Sequence, residues 1–147
     1  MADITRQGKA QWNGGLKDGS GKTSAGRGFF KDLPYSVPSR FESGKGTNPE
    51  EMIAAAHASC FSMMLAKILG DQNKTATQIS TTATLTMRVD ASGPKITKIH
   101  VATEASVPGM DEGAFRKAAE EAKEKCPVSV LLKPGLESLT FEAKLAR

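Results

Sequence analysis

The sequence is poor in the residues from which most reaction chemistry is built. Its 147 residues hold two cysteines, Cys60 and Cys126, and two histidines, His57 and His100. There is no Cys-x-x-Cys and no second clustered pair, so no strong metal motif is present. His57 and Cys60, spaced i, i+3, could recruit Cys126 and His100 only from a distance, and no metal is expected. Aromatic residues are scarce at 5%, and the net charge is only +4. Nucleic-acid binders cluster Lys and Arg with interleaved aromatics, so no nucleic-acid partner is expected. The longest uncharged run, Met52 to Ala66, has 15 residues. A membrane span needs ~20 mostly apolar residues, so this run reads as a buried helix and no membrane partner is expected. The first residues lack an apolar run behind a basic start, which reads as a cytoplasmic protein. In that reducing compartment a purely structural disulfide is not expected.

What is present is ordinary globular material. Hydrophobic residues make up 39% and charged residues 24%. The length fits one domain, residues 1–147, able to bury a sizeable core. Ile4 to Trp12 reads as a strand, with turn signals at Gly14-Gly15, Asp18-Gly19 and Gly21. Residues 22–43, broken by Gly26, Gly28, Pro34 and Pro38, read as loop-rich.

Asn48-Pro49-Glu50-Glu51 then signals a helix start, with Asn48 at the N-cap, Pro49 at N1 and Glu51 at N3. The helix should run to about Leu69, with Gly70 as its stop. Apolar residues lie nearly all round it, so it should be wrapped by other structure and Cys60 withdrawn from open surface. Ile79 to Val89 and Ile99 to Ala105 alternate about a Ser92-Gly93-Pro94 turn, which predicts a hairpin. A second helix begins near Asp111. Phe115, Ala118, Ala119, Ala122 and Cys126 form its inner stripe, and its Lys/Glu run is a solvated face. Val128 to Leu132 reads as another helical turn, and Leu139 to Leu145 as a final strand. The order predicts an α+β fold.

Two readings stand for each cysteine. Either is a small core residue, or it is a working thiol, which needs a nearby cation or helix N-terminus to become a thiolate. Cys60 lies about three turns into its helix, beyond the reach of the first-turn dipole, and burial alone would leave it inert. Cys126 precedes Pro127 and could cap the next helical turn, where amides favour a thiolate. A Cys–His hydrolase built on Cys60 and His57 is also conceivable, but no oxyanion element is recognisable. Gly14 to Gly28 lacks phosphate-loop spacing.

Residues 46–63, GTNPEEMIAAAHASCFSM, resemble the first cysteine helix of the OsmC/Ohr family. Cys126-Pro127-Val128-Ser129 resembles that family's second cysteine motif. Ile96-Thr97-Lys98-Ile99 and Val107-Pro108-Gly109 are similar to its OsmC branch. The resemblance implies antiparallel sheets wrapping long central helices in an intertwined homodimer. It implies a thiol-dependent peroxidase for organic hydroperoxides and, more weakly, hydrogen peroxide, without a cofactor. Cys60 matches the peroxidatic cysteine and Cys126 the resolving one, with an external dithiol, lipoyl-linked in the Ohr branch, as reductant. Glu50 matches the acidic partner of the activating arginine. That arginine is matched by Arg40 in the Tyr35…Arg40-Phe41-Glu42 stretch, with Arg27 the alternative. Met63, Met64 and Phe41 would supply apolar surroundings for Cys60. The alternative function is a non-catalytic dimeric redox-sensing or small-molecule-binding protein of the same fold.

Glu50 and Cys60 lie ten residues apart, ~15 Å along a straight helix. One arginine does not easily touch both in one chain. Antiparallel pairing of two such helices, crossing near Ala55, would set Glu50 of one chain beside Cys60 of the other.

Overall fold

The computed structural model describes residues 2–146. Their contacts group into two units, one ending at Met52 and one beginning at Ile53.

The first unit carries an antiparallel sheet of β1 (Gly8–Asn13), β2 (Ser20–Ala25) and β3 (Leu33–Tyr35), in that order. The strand expected from Ile4 therefore starts only at Gly8. The stretch expected to be loop-rich contains most of β2, all of β3 and a short helix, α1 (Val37–Phe41). These strands are held by backbone pairing and show no apolar alternation. Gly21 is not a turn residue. It lies inside β2, paired with Trp12 on one side and Tyr35 on the other. A Cβ there would stand 2.3 Å from the Tyr35 ring. The missing side chain lets that ring lie over the strand, 5.5 Å from the Trp12 ring.

Helix α2 (Pro49–Asp71) begins where its capping signals place it, with the Asn48 Oδ1 accepting from the Glu51 N–H at 2.8 Å. Its end differs from the expectation. Gly70 stays helical, and Asn73 takes the left-handed conformation at φ 56°. The Lys74 N–H bonds to the Leu69 carbonyl and the Asn73 N–H to the Gly70 carbonyl, each at 2.9 Å. This is a Schellman termination in which Asn replaces the usual Gly.

In the second unit β4 (Gln78–Asp90) and β5 (Gly93–Ser106) form the expected hairpin, with Gly93 at φ 104°. Then come α3 (Glu112–Lys125), α4 (Pro127–Leu132), a 3₁₀ turn at Lys133–Gly135 and β6 (Ser138–Leu145). The sheet order is β4-β5-β6, and β6 runs parallel to β5. The sheet is thus mixed where an antiparallel one was expected. A parallel pair needs a long crossover, which α3 and α4 supply.

Phe61, Leu65 and Leu69 of α2, Ile99 and Val101 of β5, and Phe115 and Ala119 of α3 form the core. By length and composition α2 could cross a bilayer, but these three side chains are fully buried in that core. The wrapping expected around α2 is incomplete. Ala55, Ala56, Ser59, Met63 and Ala66 remain exposed along one side. The Lys/Glu face of α3 is solvated as expected, with Lys125 paired to Glu121 and Lys133 to Glu124.

Candidate active site

Four side chains that the sequence offered for chemistry meet as two pairs. The first is Arg40 with Glu50. Ser36 and Ser39 cap α1 reciprocally. The Ser39 hydroxyl donates to the Thr47 carbonyl at 2.8 Å, and the Asn48 amide donates to the Ser39 carbonyl at 3.2 Å. These bonds tie α1 to the start of α2. The Arg40 Nη2 consequently reaches the Glu50 Oε1 at 2.7 Å, and its Nε reaches Oε1 at 3.0 Å and Oε2 at 3.2 Å. The fork fixes the plane of the guanidinium, which also lies 5.0 Å from the centre of the Phe41 ring. Arg27 stands in the turn after β2, and it is Arg40 that engages Glu50. Trp12, Leu16, Tyr35, Val37, Phe41 and Pro49 line an apolar cavity of about 260 Å³ that Arg40 borders.

The second pair is Cys60 with Cys126. Both are free thiols, Cys126 fully buried and Cys60 partly buried. Cys126 is the last residue before Pro127 and the N-cap of α4, yet its side chain makes no capping bond. The amide expected to favour Cys126 acts on its partner instead, the Val128 N–H drawing the Cys60 pKa down. Burial pushes the Cys60 thiol above its ordinary pKa. The Val128 N–H pulls it down, and the adjoining Cys126 thiol adds to the rise. Among the described residues no cation acts on it.

The remaining ligand and base candidates do not join the thiols as a metal centre. His100 Nδ1 is 2.8 Å from the Thr140 hydroxyl. Among the described residues no three His, Cys, Asp or Glu side chains cluster as a metal site would require. His57, fully buried, places Nε2 2.7 Å from the Ser129 hydroxyl, and its buried Nδ1 has no partner among the described residues. Burial holds this imidazole below its ordinary pKa, so it is neutral near pH 7. Ser129 belongs to the Cys126-Pro127-Val128-Ser129 motif, in which the sequence assigns it no chemistry. A separation of 72 in sequence from His57 offers no local spacing that would reveal the bond. Of the apolar surroundings expected for Cys60, Met64 packs on the core, whereas Met63 is 75% exposed.

Comparison with known families decides the kinship. A model described as OsmC-like protein matches residues 42–138, which includes Glu50, Cys60 and Cys126. The chain belongs to the OsmC family. Peroxiredoxin OsmC of Escherichia coli is 47% identical over 142 residues, covering 96% of this chain and 98% of that protein. Organic hydroperoxide resistance protein-like 1 of Staphylococcus saprophyticus is 30% identical over 109 residues, covering 72% of this chain and 75% of that protein. The crystal structure of an OsmC-like protein from Mycoplasma pneumoniae superposes with a TM-score of 0.78 at 15% identity, covering 99% of this chain and all of that one. That likeness establishes the OsmC fold, an α+β architecture with a long helix and two small sheets.

Proposed function

We propose that this OsmC-family protein is a two-cysteine peroxidase that reduces organic hydroperoxides, and hydrogen peroxide more weakly. The observation that carries the reading is the meeting of two free thiols, Cys60 and Cys126, from positions 66 residues apart in sequence. The names of the E. coli and S. saprophyticus relatives support the substrate class. In the first step the Cys60 thiolate attacks the terminal peroxide oxygen and the O–O bond breaks. The sulfur is oxidised to a sulfenic acid, and the alkoxide takes a proton to leave as an alcohol. The Cys126 thiolate then attacks that sulfur, forming the disulfide and releasing water. An external dithiol, lipoyl-linked or not, restores both thiols by exchange.

The activating cation in this reading is Arg40, held by Glu50 and contributed by a second copy of the chain. Glu50 and Cys60 are separated by ten residues of one helix, ~15 Å of rise. The exposed Ala55, Ala56 and Ser59 give a second α2 a surface for close approach in a homodimer. Arg40 from the partner would lower the Cys60 pKa and polarise the departing oxygen.

The test is stoichiometric. Reduced protein is mixed with one equivalent of cumene hydroperoxide and its free thiols are counted. The peroxidase reading expects both thiols of each chain to be lost as one peroxide becomes one alcohol. Peroxide left intact would defeat it.

A further inference from the structure

His57 and Cys60 lie one turn apart on α2. Cys126 and Ser129 are likewise spaced i, i+3 at the start of α4. The same two elements therefore face each other through two rungs. One is the Cys60–Cys126 thiol contact, and the other is the 2.7 Å bond between His57 Nε2 and the Ser129 hydroxyl. All four side chains lie in one region, with His57, Cys126 and Ser129 almost wholly buried.

Among the described residues Nδ1 is buried and unpartnered, and Nε2 meets the Ser129 hydroxyl. His57 and Ser129 are therefore joined by one bond, whichever of the two atoms carries the shared proton. Only the ε nitrogen is engaged.

We infer that His57 and Ser129 are positioning residues for disulfide closure, holding the first turn of α4 so that Cys126 stays within reach of the Cys60 sulfur. The rung makes no contact with peroxide and should not affect the first oxidation. The inference rests on the reading of Cys60 and Cys126 as a redox pair, but not on peroxide as the oxidant.

Closure can be measured without peroxide. An aromatic disulfide such as 5,5′-dithiobis(2-nitrobenzoate) reacts with Cys60 to give a mixed disulfide and one coloured thiol. Attack by the Cys126 thiolate on the Cys60 sulfur then forms the internal disulfide and releases a second coloured thiol, so the two releases time the two steps. Ser129→Ala and His57→Asn should slow the second release about tenfold or more, with the first within about twofold of wild type. His57→Gln, whose terminal amide can present a donor or an acceptor near the ε position, should close near the wild-type rate. A merely structural role would not separate Asn from Gln this way, and thermal melts check that each variant is folded.

Wild-type rates in both Ser129→Ala and His57→Asn would overturn the inference, as would equal losses in His57→Asn and His57→Gln. Absence of a second release in wild type would overturn both the inference and the redox-pair reading. A second release in wild type with no reaction toward cumene hydroperoxide would remove the peroxidase reading and leave the inference standing on the variants.

Discussion

The Arg40 guanidinium grips the Glu50 carboxylate in a fork, with Nη2 at 2.7 Å and Nε at 3.0 Å from the same oxygen. The pair is partly solvated, with the Arg40 side chain 36% exposed and that of Glu50 12% exposed. A pair so placed adds little stability, of the order of 1 kcal/mol or less. Its geometry is better suited to aiming a cation. Arg40→Lys keeps the charge and loses the fork. In the proposed peroxidase it should lower kcat/KM for organic hydroperoxide at least about tenfold, with the melting temperature nearly unchanged. Glu50→Gln should act in the same direction. Unchanged turnover in both would remove Arg40 from the mechanism.

The cavity beside Arg40 is apolar, and Phe41 and Leu16 contribute exposed surface to it. If this cavity receives the organic part of the substrate, kcat/KM for cumene hydroperoxide should exceed that for hydrogen peroxide. Phe41→Ala should narrow the difference by cutting the value for the bulky substrate alone. Parallel steady-state assays test this, and a preference for hydrogen peroxide in wild type would refute it.

His57 makes stability sensitive to acid. Burial holds its folded pKa below the ordinary 6.5. As pH falls through 6.5 the unfolded chain takes up a proton that the folded chain resists, so stability falls with pH down to the folded pKa. His57→Gln should show a shallower loss between about pH 7.5 and about pH 5.5. Carboxylates contribute alike to both proteins, so the difference between their denaturation midpoints isolates His57. Identical slopes would show that His57 does not titrate in this way.

Gly21 sits between Trp12 and Tyr35 in the small sheet. Gly21→Ala forces a methyl against the Tyr35 ring, where only 2.3 Å is available. The ring must swing aside, which the far end of a partly exposed side chain does at less cost than a residue inside a closed core. Trp12 is the only tryptophan in the chain, so its emission reports the change directly. A shifted emission maximum and a lower melting temperature are expected, and an unaltered spectrum would contradict the packing.

Patterned segments were the legible ones. The stripe of Phe115, Ala118, Ala119, Ala122 and Cys126 recurs at helical spacing and is fully buried. The β4–β5 hairpin follows alternation and Gly93, and the start of α2 follows Asn48. β2 and β3 were hidden because they pair through backbone and carry little apolar alternation. Asn73 took the helix-ending role expected of Gly70, because an Asn can adopt the left-handed conformation that a stop requires. The parallel placement of β6 depends on the crossover path, to which local pattern is blind. At the site, the two thiols and the Arg40–Glu50 pair were legible through the motifs of the family. The His57–Ser129 bond joins residues far apart in sequence and announces itself by no spacing.

The most direct test is peroxide consumption with dihydrolipoamide or dithiothreitol as reductant, wild type beside Cys60→Ser and Cys126→Ser. Sustained turnover by wild type, none by Cys60→Ser, and a Cys126→Ser protein that no longer forms the internal disulfide are expected. A wild-type protein that oxidises its thiols yet turns over no peroxide with either dithiol, or a Cys60→Ser protein as active as wild type, would contradict the assignment.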